Sequence, residues 1–531
     1  MDRMWPFHAD SLSFVAHAVL RILPQVATLS IAHVMTTLRK VSISLLVLVA
    51  LAGVGLYFLT RGDTADLSVD EVAGTDPTLQ EPDAEAFPTV QIAKPVGWEA
   101  GDAPKAAEGL AVNRFAEGLD HPRVLYALPN GDVLVTLTRA PAAEDDGEGG
   151  FMDTIRGWVA SYLFSEAGAA GESPNELVLL RDADGDGTAE IQQVILTEGL
   201  DSPSGISWGD NTLYIANHDA VLAFDYELGA DAVTSKARKL MDLPPGGGHW
   251  MRNMEIHPDG GRLYIAVGSV SNIGESGMAI EDGRAMIWEY NIETGEPRQY
   301  AAGLRNPNGL DFSPWSGELW TTVNERDMLG SDLVPDYLTN VPVGAQYGWP
   351  WLYYKDNIDR RVEAPMPQFL MEYTRNPEFA LGPHVAALGL VFSAEGHTMG
   401  ENLSSGAFIA RHGSWNRKPP SGYDVVYVAF DGRGNPEGKP VPVLTGFLND
   451  DGTTKGRPTW VEWAGDGSLL VSDDTAGIIW RTYAPEAQPA AAIEPNQGES
   501  LPPQRELSDP RRAFEEDYLR EQAAQGNLPG L

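Results

Sequence analysis

Residues 244–253 read Pro-Pro-Gly-Gly-Gly-His-Trp-Met-Arg-Asn. Three glycines let a backbone approach a ligand closely, and the imidazole of His249 is a candidate general base near neutral pH. A single histidine in such a loop is more often structural. In Leu-Arg-Asn-Pro-Asn-Gly, residues 304–309, Arg305 and Asn306 offer a cation and an amide; the plainer reading is a salt bridge beside a turn. Residues 324–332 form an acidic loop leading to an aromatic turn with Tyr347, Trp349 and Pro350. Oxygen-rich loops of this kind suit calcium, a hard cation. Residues 412–420 place His412, Trp415, Arg417 and Lys418 together, a flat ring with cations that suits a planar anionic ligand. Asp182, Asp184 and Asp186, followed by Gly187, resemble the start of an EF-hand loop, but its twelfth position is Gln193. Without the bidentate glutamate this is either a structural calcium turn or a plain acidic β-turn.

Two phrases recur around these loops. One is a turn of the Asp-Gly or Asn-Gly kind followed by a leucine and aromatic or β-branched residues, at 129–135, 210–215, 258–265, 314–320, 405–409 and 465–471. The other, Gly-Leu-x-x-Pro or a relative of it, falls at 118–122, 199–203, 303–307 and 456–458. Short strands between glycine-bounded turns, repeated at intervals of about 50 to 90 residues, predict an all-β fold, a six-bladed β-propeller over 106–484. A β-sandwich would leave the repeated phrase unexplained. Ligand sites of propellers lie where blade loops converge, and the unusual loops fall between the repeats.

The 531 residues include 75 acidic and 37 basic side chains, a formal charge of −38. Such a surface repels phosphate backbones, which excludes nucleic acid as a partner. A hydrophobic fraction of 43% with 14 Trp, 17 Tyr and 16 Phe provides for a large core and excludes a disordered chain. With no cysteine there are no disulfides, thiolate metal sites or thiol nucleophiles.

Residues 41–59 run without a charge between Arg39-Lys40 and Arg61. They predict a single transmembrane anchor helix, the N-terminus in the cytoplasm and the rest outside; a cleaved signal peptide is the alternative. Residues 1–34 read as an extension with a mis-assigned start, Met35 being the better one. Residues 60–105, rich in Asp, Glu, Pro and Ala, read as a tether, and 485–531 as a flexible tail with a short helix at 511–525. Residues 150–168 form an amphipathic insertion that packs on the propeller rim or on the membrane.

The set formed by residues 248–253, 257–260, 304–309, 324–327, 347–350, 412–417 and 472–477 resembles the glucose/sorbosone dehydrogenase family, and within it the membrane-associated L-sorbosone dehydrogenase-like branch. That resemblance implies a six-bladed propeller using pyrroloquinoline quinone with calcium. His249 matches the general base, and Arg305 the residue that stabilises the developing oxyanion. Asn306, His384 and Arg457 match quinone-contacting positions, Arg252 joins them, and His412 or Arg417 stands for a lysine there. Arg326 and Asp327 fall where backbone carbonyls hold the calcium. Two departures stand out: Ser269 replaces the acid that orients the histidine, and Pro203-Ser204 stands where a glutamine is usual. The implied reaction oxidises an aldose or an aldehydo-sugar such as sorbosone and passes electrons to a respiratory-chain acceptor. The chain would be a single-pass protein of the cytoplasmic membrane with its propeller in the periplasm. The competing classes are a calcium-dependent lactonase or esterase propeller and a non-catalytic ligand-binding propeller at the cell surface.

Overall fold

The computed structural model describes residues 39–40, 62–85, 87–141, 168 and 171–496. The chain divides into two units, Met1–Gly62 and Asp63–Leu531. In the first, only Arg39 and Lys40, in helical conformation, and Gly62 are described. The expected extension 1–34, anchor 41–59, insertion 150–168 (apart from Gly168) and tail helix 511–525 lie outside the described residues. Among the described residues no helix is long and apolar enough to cross a membrane.

Among the described residues the second unit is built from six antiparallel blades, five of four strands and one of five, with a separate two-stranded hairpin, as the repeated phrase predicts. The first contains Pro122–Ala127, Val133–Leu137, Glu176–Arg181 and Ile191–Leu196, and the second Gly205–Gly209, Thr212–Ala216, Ala220–Asp225 and Arg238–Asp242. The third contains Met254–Ile256, Arg262–Val267, Met286–Asn291 and Pro297–Ala302, and the fourth Asn306–Phe312, Leu319–Asn324, Pro335–Asn340 and Phe379–Pro383. The fifth, Ala387–Phe392, Gly406–Arg411, Asp424–Phe430 and Pro436–Thr445, carries the short strand Lys105–Ala106 on its outer edge. The sixth joins Pro458–Trp463, Leu469–Asp473 and Ile478–Tyr483 to Ala111–Glu117 from the opposite end of the propeller sequence. Pairing Ala111 with Tyr483 and Glu117 with Ile478 closes the ring through hydrogen bonds between its two termini.

The two recurring phrases mark opposite faces of this ring. The Asn-Gly or Asp-Gly turns join first to second strands; Asp210 and Asn211 both take positive φ (49° and 56°), as a two-residue hairpin turn requires. The Pro-containing phrase precedes the first, inner strand of a blade, where the chain crosses from its neighbour on the other face. Second strands such as Val133–Leu137 are buried along their whole length, because a neighbouring blade covers each side of the sheet. They therefore read as continuous apolar runs rather than alternating ones.

Residues 63–104 are not the free tether expected. Val72 and Ala73 are fully buried, and the backbone of Asp66 and Leu67 donates to Asp332 Oδ2 at 2.6 and 2.9 Å. Asp63 accepts from Ser331 N at 2.7 Å, and Trp98 Nε1 donates to Asp473 at 3.0 Å. Asp63 caps a loop amide of blade four and Asp102 pairs with Lys455 at 3.0 Å, so this acidic stretch is tied to the ring. The start of the tail also packs down: Ala490 exchanges backbone hydrogen bonds with residues 396 and 397, and Ile493 lies on the core.

Candidate active site

Loops entering inner strands and loops joining second to third strands share one face of the propeller. They bring together His249, Arg305, Asn306, Asp327, His384, His412 and Arg457. His249 sits in the loop before Met254–Ile256. Its Nδ1 lies 2.9 Å from Ser269 O and 3.0 Å from Ser269 Oγ. Because Ser269 Oγ donates its own proton to Ser271 O at 2.7 Å, both atoms facing Nδ1 are acceptors. Nδ1 therefore carries the hydrogen and Nε2 keeps a lone pair, with no hydrogen bond from any described residue. Burial, then the nearby Arg305 charge, push the His249 pKa down to about 3, so the ring is neutral. Gly268 belongs here for space: a Cβ on it would overlap Asn306 Oδ1 and His249 Cβ.

Arg305 is 4% exposed and fully engaged. Its Nε donates to Asn272 O at 3.1 Å, one terminal nitrogen to Glu325 O at 2.7 Å, and the other to Asn272 Oδ1 and Asp327 Oδ2, both at 2.9 Å. Asp327 also faces His384 Nδ1 at 3.4 Å, while His384 Nε2 donates to Gly330 O at 3.2 Å. Burial opposes charge on both, but Arg305 holds Asp327 below the ordinary carboxylate range, and Asp327 raises His384 above its ordinary value. Beneath them Asn306, Asn308 and Asn324 form an amide ladder in the channel; Asn306 and Asn308 both donate to Asn324 Oδ1, and Asn253 donates to Asn308.

Across the mouth stands a second cluster. His412 Nε2 lies 2.8 Å from Asp474 Oδ2, which also pairs with Arg123 and faces His121 Nε2 at 3.7 Å. Arg457 donates to the carbonyls of His412 (3.1 Å) and Gly413 (2.9 Å) and lies over the Tyr423 ring. Arg123 is 5.7 Å from the ring centroid of Trp250, next to His249, which joins the two clusters around one mouth. His121, Arg123, Asn272 and Asp474 were not singled out from sequence. Asp474 lies within the 472–477 phrase and His121 within a Gly-Leu-x-x-Pro phrase, so the signal was present without a role attached.

Seven expected ligands are placed elsewhere or otherwise engaged. Arg252 is fully buried and donates to the carbonyls of His249, Met251 and Pro244, with its backbone held by Ser204 Oγ; it braces the glycine loop from behind. Arg417 is buried against Asp332 Oδ1 (3.0 Å) and Leu67 O (3.0 Å), where it fastens the 63–67 segment. Arg326 is fully buried, pairing with Glu325 and donating to the carbonyls of Pro350 and Leu352. The carbonyl of Asp327 already accepts from Asn272 Nδ2 and Arg361. Asp182, Asp184 and Asp186 lie in the loop between the third and fourth strands of the first blade, on the opposite face. There Glu190 joins them, with ligand oxygens within 4.8 Å of one another. Asp182 accepts from the backbone of residues 185, 186 and 187, as an acidic turn does without a cation.

The donor set fits a planar polyanion. Three guanidiniums, Arg123, Arg305 and Arg457, gather at the mouth around Asp327 and Asp474, with Asp473 behind Arg457, a local density of cations in a chain of −38. Arg123 Nε and Asp474 Oδ1 are buried there without a partner.

A family model described as TrAA12-like matches residues 177–342 and 369–483, more than half of the chain. A pyrroloquinoline quinone-dependent pyranose dehydrogenase of Coprinopsis cinerea is 26% identical over 365 residues, 56% of this chain and 48% of that protein. The chain thus spans about half the length of that relative. An uncharacterized protein of Borreliella burgdorferi is 28% identical over 304 residues, 54% of this chain and 77% of its own. Among solved structures, the holo pyrroloquinoline quinone domain of the Coprinopsis cinerea pyranose dehydrogenase superposes with a TM-score of 0.55 at 19% identity, over 74% of this chain and 100% of that one. The calcium structure of a Trichoderma reesei carbohydrate-active enzyme of family AA12 gives 0.57 at 19%, over 74% and 98%. At these identities the likeness shows the propeller fold.

Proposed function

The chain belongs to the TrAA12-like family, and from that premise we propose that it is an oxidoreductase, a pyrroloquinoline quinone-dependent sugar dehydrogenase acting on an aldose or an aldehydo-sugar. One observation carries the assignment at atomic level: a neutral histidine with its tautomer fixed and Nε2 open stands beside a guanidinium in a cation-rich mouth.

When bound, the quinone supplies the two-electron acceptor for the C–H bond that is oxidised. Arg123, Arg457 and His412 would hold its carboxylates. His249 Nε2 takes the proton of the substrate hydroxyl, or of an aldehyde hydrate, while Nδ1 stays bonded to Ser269. Ser269 orients the ring but adds no charge, so the imidazolium gains only a dipole, not a carboxylate, as its partner. Arg305, fixed by Asn272, Asp327 and Glu325, lies where it stabilises negative charge developing on the substrate oxygen.

On this reading residues 41–59 anchor the chain, the propeller faces the periplasm, and electrons leave to a respiratory-chain acceptor. The basic pair Arg39-Lys40 before the apolar run supports that orientation. The test is titration of the full chain with pyrroloquinoline quinone, with and without calcium, followed by dye reduction with aldoses, sorbosone and simple aldehydes. Saturable binding with turnover that His249→Ala abolishes is expected. A chain that does not bind the quinone overturns the assignment.

A further inference from the structure

Proton abstraction at His249 leaves a second acid–base pair at the mouth unused. His412 Nε2 faces Asp474 Oδ2 at 2.8 Å, and a carboxylate of that kind only accepts, so Nε2 carries the hydrogen. Nδ1 is left with a lone pair, receives no hydrogen bond from any described residue, and belongs to a side chain that is 14% exposed. Asp474, by contrast, is 3% exposed, with Oδ1 unpartnered.

The groups facing this pair come from three blades. Arg123 forms an ion pair with Asp474, His121 lies 3.7 Å from the same oxygen, and Arg457 is fastened to the carbonyls of His412 and Gly413. Asp473 lies behind, taken up by the backbone of Arg457 and the indoles of Trp98 and Trp480. Two guanidiniums thus stand against the Asp474 carboxylate at the mouth and Asp473 behind it, which burial raises only to about 6, so near neutral pH the cluster has no positive charge to spare. Burial, then Arg457, keep His412 neutral, with its pKa down at about 3. Each carboxylate that a ligand brings therefore adds negative charge the cluster does not already balance. The open Nδ1 is the atom placed to answer it.

We propose that His412, held by Asp474, takes up a proton at Nδ1 as a planar polycarboxylate binds at this mouth, and so becomes one of the cations that hold it. This rests on the quinone reading above, because that cofactor is a tricarboxylate. The bond formed is N–H on Nδ1, the proton comes from bulk water, and release of the ligand returns it. Linkage then makes affinity for the ligand fall about tenfold for each unit rise in pH between the free and bound pKa values of His412.

The test uses the full chain and pyrroloquinoline quinone itself. Calorimetry at one pH in two buffers of different ionisation enthalpy counts the protons taken up, and quinone absorbance gives Kd from about pH 5 to 8. About one proton per ligand is expected near neutral pH, with Kd weakening up to about tenfold per unit. His412→Gln removes both the uptake and the slope. His412→Lys, a fixed cation beside the same carboxylate, restores affinity without uptake, and its thermal midpoint separates this from misfolding. Quinone binding without proton uptake, or uptake that persists in His412→Gln, overturns the inference and leaves the assignment standing. A native chain that binds no quinone overturns both.

Discussion

His249 and Ser269 are joined by two contacts through one ring nitrogen, Nδ1 lying 2.9 Å from the serine carbonyl and 3.0 Å from its hydroxyl. The serine fixes the tautomer yet cannot hold the protonated ring by charge, and the pKa of His249 lies at about 3. The acid limb of the kcat/KM profile in native protein is therefore expected below about pH 4. Ser269→Asp restores a carboxylate beside Nδ1 and should raise the His249 pKa by about 1 to 3 units, moving that limb toward neutral pH. Limbs that coincide in the two proteins would remove His249 as the group that limits activity in acid.

Gly268 is constrained by neighbours rather than by backbone angle. A Cβ there would meet both His249 Cβ, next to the backbone, and Asn306 Oδ1, whose amide is held by Asn324. Gly268→Ala should displace the histidine loop and lower kcat/KM by more than about 100-fold, a loss of the size that misplacement by about 1 Å produces. The sheet beneath would persist, so far-ultraviolet dichroism should be unchanged while turnover is lost.

The propeller was legible because turn chemistry repeats: each Asn-Gly or Asp-Gly turn sits between first and second strands, and each Gly-Leu-x-x-Pro phrase enters an inner strand. His249, Arg305, Asn306 and His412 drew notice in the unusual loops between repeats, and His384 and Arg457 through the family resemblance alone; the structure sets all six in or next to loops of one face. Arg252 and Arg417 were misread because sequence shows a cation without showing which acceptor already holds it; here these are loop carbonyls and Asp332. Residues 63–104 were misread because their partners lie in distant loops, Asp63 with Ser331, the amides of 66 and 67 with Asp332, and Trp98 with Asp473, and composition cannot display such pairings. The Asp474 cluster draws on residues up to 353 positions apart, from His121 to Asp474, and no local pattern joins them.

Arg326 lies fully buried between Glu325 at 2.9 Å and Asp359 at 3.4 Å, and Asp359 also holds Arg361, which supports the carbonyls of residues 327 and 328. Removing one member of a buried ion network leaves an uncompensated charge, at a cost of about 3 to 5 kcal/mol. Asp359→Ala should lower stability by that amount in urea unfolding and weaken quinone binding through the loosened 327–328 loop. A loss below about 1 kcal/mol would show that the charges are solvated.

At the other end of the channel, Glu255, Asp311 and Glu462 line a cavity of about 260 Å³ among Tyr126, Phe312, Trp460 and Trp463. Burial, largest in each case, raises Asp311 to about 7, Glu462 to about 8 and Glu255 well above its ordinary value. The folded state therefore binds more protons than the unfolded one, and stability is lost as pH rises through these folded values. Histidines held neutral, such as His249 and His412, act in the opposite sense, but only below about pH 6.5. His384, raised by Asp327, adds to the carboxylate trend. The clean window is thus about pH 7 to 9, where the urea midpoint of the full chain should fall. Glu255→Gln combined with Glu462→Gln should flatten that decline and make the protein more stable than native at pH 9. A midpoint that rises across this window, or a decline the double variant leaves intact, would place the ionised carboxylates in water rather than in a desolvated channel.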